Sequence, residues 1–161
     1  MVEQIPVKDK VRGSSPLGGA DIFWYSFLFC YNCLMSWKQA TQEGQEIILA
    51  TSSKENTPHA IIVISLGLLN DKLLIGACLT KTSLENIKNN NRVSLVAKYK
   101  NEYYRIDGWA KIYCTGKYLD ITYKKSKPPM PKAAILIDIR EVFDLDKQKK
   151  IIWFHILILR K

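Results

Sequence analysis

Thr80, Lys81 and Thr82 place two hydroxyls and one ammonium side by side, directly ahead of a segment with the pattern of a helix. The first turn of a helix leaves its backbone N–H groups without intrahelical partners. Amides, hydroxyls and a lysine converging on one point form the outline of a phosphate receptor. The helix dipole contributes about 0.3–1 kcal/mol for an exposed anion and up to ~2 kcal/mol for a partly buried one, and charge-assisted hydrogen bonds add to it. The spacing alone fits a plainer arrangement equally well, with Thr82 capping its own helix and Lys81 an ordinary surface charge.

Other reactive side chains form weaker patterns. Cys30 and Cys33 have the Cys-x-x-Cys spacing shared by zinc knuckles and redox loops. A structural zinc site needs four ligands, and Cys78, Cys114, His59 and His155 supply no second knuckle at short spacing, so no metal centre is expected. His59 follows a proline at a strand start, a position that reads as structural. No Ser-His-Asp or Cys-His set can be assembled, which argues against hydrolase chemistry.

Short strands rich in Ile, Val, Leu and Tyr must position the Thr-Lys-Thr stretch. They are expected at Glu46–Ser52, Pro58–Gly67, Lys72–Cys78, Arg92–Tyr99, Tyr103–Cys114 and Ala133–Leu145. Turn-forming residues at 54–57 and at Asn70-Asp71 predict two hairpins. A short helix from Thr82 to about Asn90 follows the third strand, with Thr82 and Glu85 in the relation of a capping box. Ahead of the strands, Ser36 to Gly44 reads as a one- to two-turn helix with Ser36 as its N-cap. Tyr104, Ile106, Gly108, Ala110, Ile112 and Cys114 fall on one face of the fifth strand. Ile135, Ile137, Ile139, Phe143 and Leu145 are expected to share a face of the sixth, with Asp138, Arg140 and Asp144 pointing away. Gly108 in mid-strand signals a bulge, a barrel corner or a close backbone. A small, nearly closed antiparallel barrel accommodates these features.

The 161 residues suffice for one domain with its own core, and 47% hydrophobic against 24% charged residues excludes wholesale disorder. A formal net charge of +9 favours anionic partners without choosing among them. The dense lysines at 117, 124, 125, 127 and 132 read as solvated surface. Ile22 to Met35 is apolar but too short for a membrane-spanning helix, which needs about 20 residues. It reads either as a segment packed on the barrel or at a subunit interface, or as sequence preceding a natural start at Met35.

The blocks IILATSSKENTPHAIIV, LLIGACLTKTSLENIKNNNRVSL, YYRIDGWAKIY and KAAILIDIREVFDL follow one another along the chain. In that order they resemble the FMN-binding split-barrel family, the pyridoxamine 5'-phosphate oxidase-like proteins, and especially its small FMN-binding members. The resemblance covers about Ser36 to Leu145, and the second block is its most specific part. It implies a mainly β fold, a six-stranded antiparallel split β-barrel over residues 36–146. A leader at 1–35 precedes that domain and a basic, apolar tail at 147–161 follows it.

The resemblance also implies the cofactor FMN. Thr80, Lys81 and Thr82 would hold its phosphate with Asn86 nearby, and Ile62, Val63 and Ile64 would lie beside the isoalloxazine and ribityl chain. Ala77 and Cys78 would pass behind it. A homodimer with the cofactor at its interface is implied, with Met130 and Lys132 reaching the flavin bound to the partner. The expected role is a cytoplasmic flavin-dependent oxidoreductase or electron-transfer protein. Two departures matter. The run Ile61 to Ile64 lacks the polar side chains that relatives often carry, and the tail does not reproduce the substrate motif of true pyridoxamine-phosphate oxidases, so vitamin B6 oxidation is not carried over. A deazaflavin or haem in the same fold, or a single-strand nucleic-acid binder using Tyr103, Tyr104, Trp109 and Tyr113, are the alternatives.

Overall fold

The computed structural model describes residues 36–78 and 80–151. The apolar stretch 22–35, the Cys30 and Cys33 pair, Leu79 and residues 152–161 of the tail lie outside the described residues.

Alternating apolar residues build the strands β1 (Glu46–Ser52), β2 (Pro58–Leu69), β3 (Lys72–Ala77), β4 (Arg92–Tyr99), β5 (Glu102–Tyr113), β6 (Ala133–Asp144) and β7 (Lys149–Ile151). They pair in the order β3-β2-β1-β4-β5-β6-β7, and an added β3–β6 ladder closes the first six into an antiparallel barrel. The fold is the mainly β, six-stranded barrel that the strand pattern predicts. Asn70 and Asp71 both take positive φ between β2 and β3, the conformation a two-residue hairpin turn requires.

Inward-facing Ile47, Leu49, Leu73, Ile75, Leu95, Ile106, Ile135 and Ile137 fill the barrel and are essentially inaccessible to solvent. Tyr104 is buried among them, and its hydroxyl donates to Glu102 while pairing with Ser36 Oγ at 2.6 Å. Residues 36–40 form the helical turn α1. Ser36 is therefore already helical rather than an N-cap, and the chain turns away at Gly44, whose φ is +87°.

The alternation expected for the sixth strand breaks in the middle. Asp107 pairs with Glu141 but Gly108 with Ile139, so Arg140 is an extra residue without a partner on β5. One inserted residue exchanges the faces beyond it. Ile135 and Ile137 point inward as expected, whereas after Arg140 it is Val142 and Asp144 that are buried, and Phe143 packs outside beneath Arg105, 5.1 Å from its ring. Gly108 lies at this bulge, where a Cβ would come within 2.6 Å of the Asp138 carbonyl oxygen.

Two elements were not expected. β7 pairs with the end of β6 within the tail segment. A second internal helix, α3 (Lys117–Lys125), follows β5, after α2 (Lys81–Asn89) between β3 and β4. Leu119 and Thr122 of α3 are buried, and Tyr118 and Ile121 pack on a second apolar cluster of Leu66, Leu74, Ala134 and Leu136. The helix thus covers the outer face of β3 and β6. Its lysines hide this apolar stripe in the sequence.

The outer face of β1 and β2 has no such cover among the described residues. Ile48, Ile62 and Ile64 are 44%, 68% and 47% exposed, and Ile48 and Ile62 sit directly opposite each other in the ladder.

Candidate functional site

The barrel is split between β2 and β3. Their ladder runs from the hairpin turn to the pair Ser65 and Ile75, with a bulge on the way, and Ile61 to Ile64 have no partner on β3. Ser65 N–H donates to the Gln45 carbonyl at 2.9 Å, so Ser65 turns its backbone polar groups toward β1. In an antiparallel ladder the alternate residues then turn theirs the other way. The N–H and C=O groups of Ile62 and the N–H of Ile64 consequently face the gap. Their side chains lie on the outer sheet face, while Val63 points into the core.

A cleft of about 750 Å³ occupies the gap, lined by Ile61 to Leu66, Gly76, Cys78 and Thr80, and along its far wall by the residues 125–129 that leave α3. Gly76 permits this approach, since a Cβ there would meet Ser126 Oγ at 3.2 Å and Pro131 Cβ at 3.3 Å. Cys78 Sγ–H donates to the Pro129 carbonyl at 3.1 Å.

At one end of the cleft the chain enters α2 (Lys81–Asn89). The helix begins two residues earlier than the capping-box pattern predicts. Thr80 is the N-cap residue, Leu84 N–H donates to its carbonyl at 2.9 Å, and no side chain caps the first turn. Thr82 is an exposed first-turn residue, so the Thr82 and Glu85 box is not formed. No acidic residue lies in that turn to offset the positive end of the dipole. Thr80 Oγ1 and Ser83 Oγ are both buried without a hydrogen-bond partner. A buried hydroxyl left unpaired costs about 1–3 kcal/mol, so the turn carries unspent donors and acceptors where the sequence suggests an anion receptor.

Among the other residues singled out from sequence, Ile62, Val63, Ile64, Cys78 and Thr80 line the cleft. Lys81 and Thr82 are exposed on the first turn of α2. Ala77 is buried in the core. Asn86 is buried on the inner side of α2, where its Nδ2 donates to Thr51 Oγ1 at 3.1 Å and ties the helix to β1. Met130 and Lys132 are exposed outside the cleft lining, and Lys132 N–H donates to the Ala77 carbonyl at 2.8 Å. Glu43, Lys125 and Lys127 were missed. Glu43 lines it from the turn after α1, and Lys125 and Lys127 reach it only because α3 docks on β3, the sole signal for that docking being the spacing of Tyr118, Leu119, Ile121 and Thr122.

Among the described residues no group of three or more His, Cys, Asp or Glu could hold a metal ion, and no helix is long and apolar enough to cross a membrane. Of the strand aromatics Tyr104 is in the core, and Arg140 lies 3.9 Å over the Trp109 ring.

No family model and no curated protein matches the sequence. Solved structures do match in shape. HupZ of Group A Streptococcus superimposes with a TM-score of 0.63 at 22% identity, over 70% of this chain and 94% of that one. An FMN-binding protein from Syntrophomonas wolfei subsp. wolfei gives 0.58 at 10% identity, over 80% and 97%. The fold is the split barrel of the pyridoxamine 5'-phosphate oxidase-like proteins. An F420 reductase shares this split barrel, with a TM-score of 0.53 at 18% identity over 65% of this chain and 94% of that one.

Proposed function

We propose that this split barrel binds FMN in the cleft between β2 and β3 and acts as a flavin-dependent oxidoreductase or electron-transfer protein. The observation that carries the reading is the uncapped first turn of α2, with the unpartnered Thr80 hydroxyl, at one end of a nucleotide-sized cleft. Thr80, Lys81, Thr82 and the amides of that turn hold the phosphate. Asn86 acts through Thr51 to keep the turn in place. The backbone N–H and C=O groups of Ile62 and the N–H of Ile64 take the hydrogen-bonding role that polar side chains play in relatives. When bound, FMN supplies hydride or electron transfer, and the chain supplies orientation and exclusion of water.

The functional unit is a homodimer. Among the described residues Ile48, Ile62 and Ile64 form an apolar face beside the cleft that no other element covers, and burying such a side chain fully is worth about 1.5–3 kcal/mol. A second copy of the chain is the occupant that the family resemblance implies, and Met130 and Lys132 lie exposed at the chain turn leading into β6, available to a partner's site. Cys78 and Cys114 are both free thiols, which fits a reducing cytoplasm.

Titration of the purified protein with FMN tests the reading, with quenching of flavin fluorescence at micromolar concentrations as the expected result. Undiminished fluorescence contradicts it. A deazaflavin is the second reading, favoured by the likeness in fold to an F420 reductase, and the absorption spectrum of the bound chromophore separates the two.

A further inference from the structure

The cleft has a second polar end. Lys125, the last residue of α3, donates from Nζ to the Leu66 carbonyl at 2.9 Å and to Glu43 Oε2 at 2.7 Å. A lysine ammonium carries three donors, so one is left over. Leu66 lies just past the pair Ser65 and Ile75, where β2 and β3 rejoin, and this places the ammonium at the closed end of the gap. Gly67, at φ +89°, passes beneath it.

From Lys125 the chain runs along the cleft toward α2, with Ser126 against Gly76 and the Pro129 carbonyl on the Cys78 thiol. The five chain steps from Ile75 to Thr80 extend at most about 17 Å. The anion receptor and the tethered cation therefore stand at opposite ends of one cleft.

We propose that Lys125 sets the reduction potential of the bound cofactor by stabilising negative charge at the end of the cleft opposite the phosphate; this rests on the FMN reading above. Two-electron, one-proton reduction leaves one negative charge on the pyrimidine end of a flavin ring. A cation with a free donor favours that form over the neutral oxidised one. Glu43 moderates the effect by partly neutralising Lys125, so the two residues pull the potential in opposite directions.

The test is the midpoint potential of the FMN-loaded full-length protein, titrated with dithionite against a reference dye, in wild type, Lys125→Met, Lys125→Arg and Glu43→Gln. In Lys125→Met the affinity for reduced relative to oxidised FMN falls about tenfold, which for a two-electron couple lowers the potential by ~30 mV. Its affinity for oxidised FMN stays within about threefold, because the phosphate anchor is intact. Lys125→Arg keeps the potential and Glu43→Gln raises it. Glu43→Gln leaves the lysine in place and carries the test should Lys125→Met not fold. FMN binding with potentials unchanged in both Lys125→Met and Glu43→Gln overturns the role of Lys125 alone. Failure of wild type to bind FMN overturns the site reading and this inference together.

Discussion

The buried Tyr104 and the partly exposed Glu102 make stability depend on pH. Burial, reinforced by the Glu102 carboxylate facing its hydroxyl, holds the Tyr104 phenol well above its ordinary value of 10.0. Hydrogen bonds from Lys147 and then Tyr104 hold the Glu102 carboxyl below 4.5. For the tyrosine, the unfolded chain loses its proton first as pH rises past about 10, so stability present below that pH is lost above it. For the glutamate the contribution is present above 4.5 and lost as pH falls through the depressed value. Urea midpoints measured from pH 3 to 11 are expected to decline at both ends, and Tyr104→Phe to flatten the alkaline limb. Gly108→Val drives a side chain into the Asp138 carbonyl and the Ile137 methyl, and is expected to cost about 1–3 kcal/mol or more in the same assay. At this scale the sequence is informative where chemistry is local. The threonines and lysine ahead of α2 and the mid-strand Gly108 are visible as residue types, whereas Ser83 and Lys125 acquire meaning only from what folds against them.

The strands and their hairpins are legible because period-two alternation and turn residues are properties of contiguous sequence. α3 is not, since its buried stripe is short and its lysines dominate the composition. The exchange of faces beyond Arg140 is also hidden, because a bulge is defined by a mismatch between two strands and no single strand records it. The N-cap at Thr80 departs from the capping-box pattern for a related reason: the box predicts satisfied donors, and this helix start leaves them open. α2 is held on the barrel by Asn86 to Thr51 at 3.1 Å and by Asn90 Nδ2 to Ser52 Oγ at 2.9 Å. Asn86→Ala removes the buried bond and is expected to lower stability by about 1–2 kcal/mol. It should also weaken FMN more than riboflavin in parallel fluorescence titrations, because the helix start shifts. Equal weakening of both ligands would show that Asn86 has no bearing on the phosphate.

Among the described residues, α3 covers one side of the barrel and no element covers the other. Cover on β3 and β6 together with exposed isoleucines on β1 and β2 is the distribution expected of a protomer that completes its surface with a second copy. Ile62→Glu, at a position 68% exposed, should leave the monomer fold intact and convert a dimer into monomer in sedimentation velocity at micromolar concentration. A wild-type protein that sediments as a monomer would remove the dimer from the account. The central claim is that the opening turn of α2 recognises a phosphate ester, and the difference in affinity between FMN and riboflavin tests it most directly. By calorimetry the wild type is expected to prefer FMN about 100-fold or more, equivalent to ~2.7 kcal/mol, and the combined variant Thr80→Ala, Lys81→Ala, Thr82→Ala to lose most of that preference while keeping its affinity for riboflavin. Equal affinity of the wild type for the two ligands, or a preference that survives in the variant, contradicts the account.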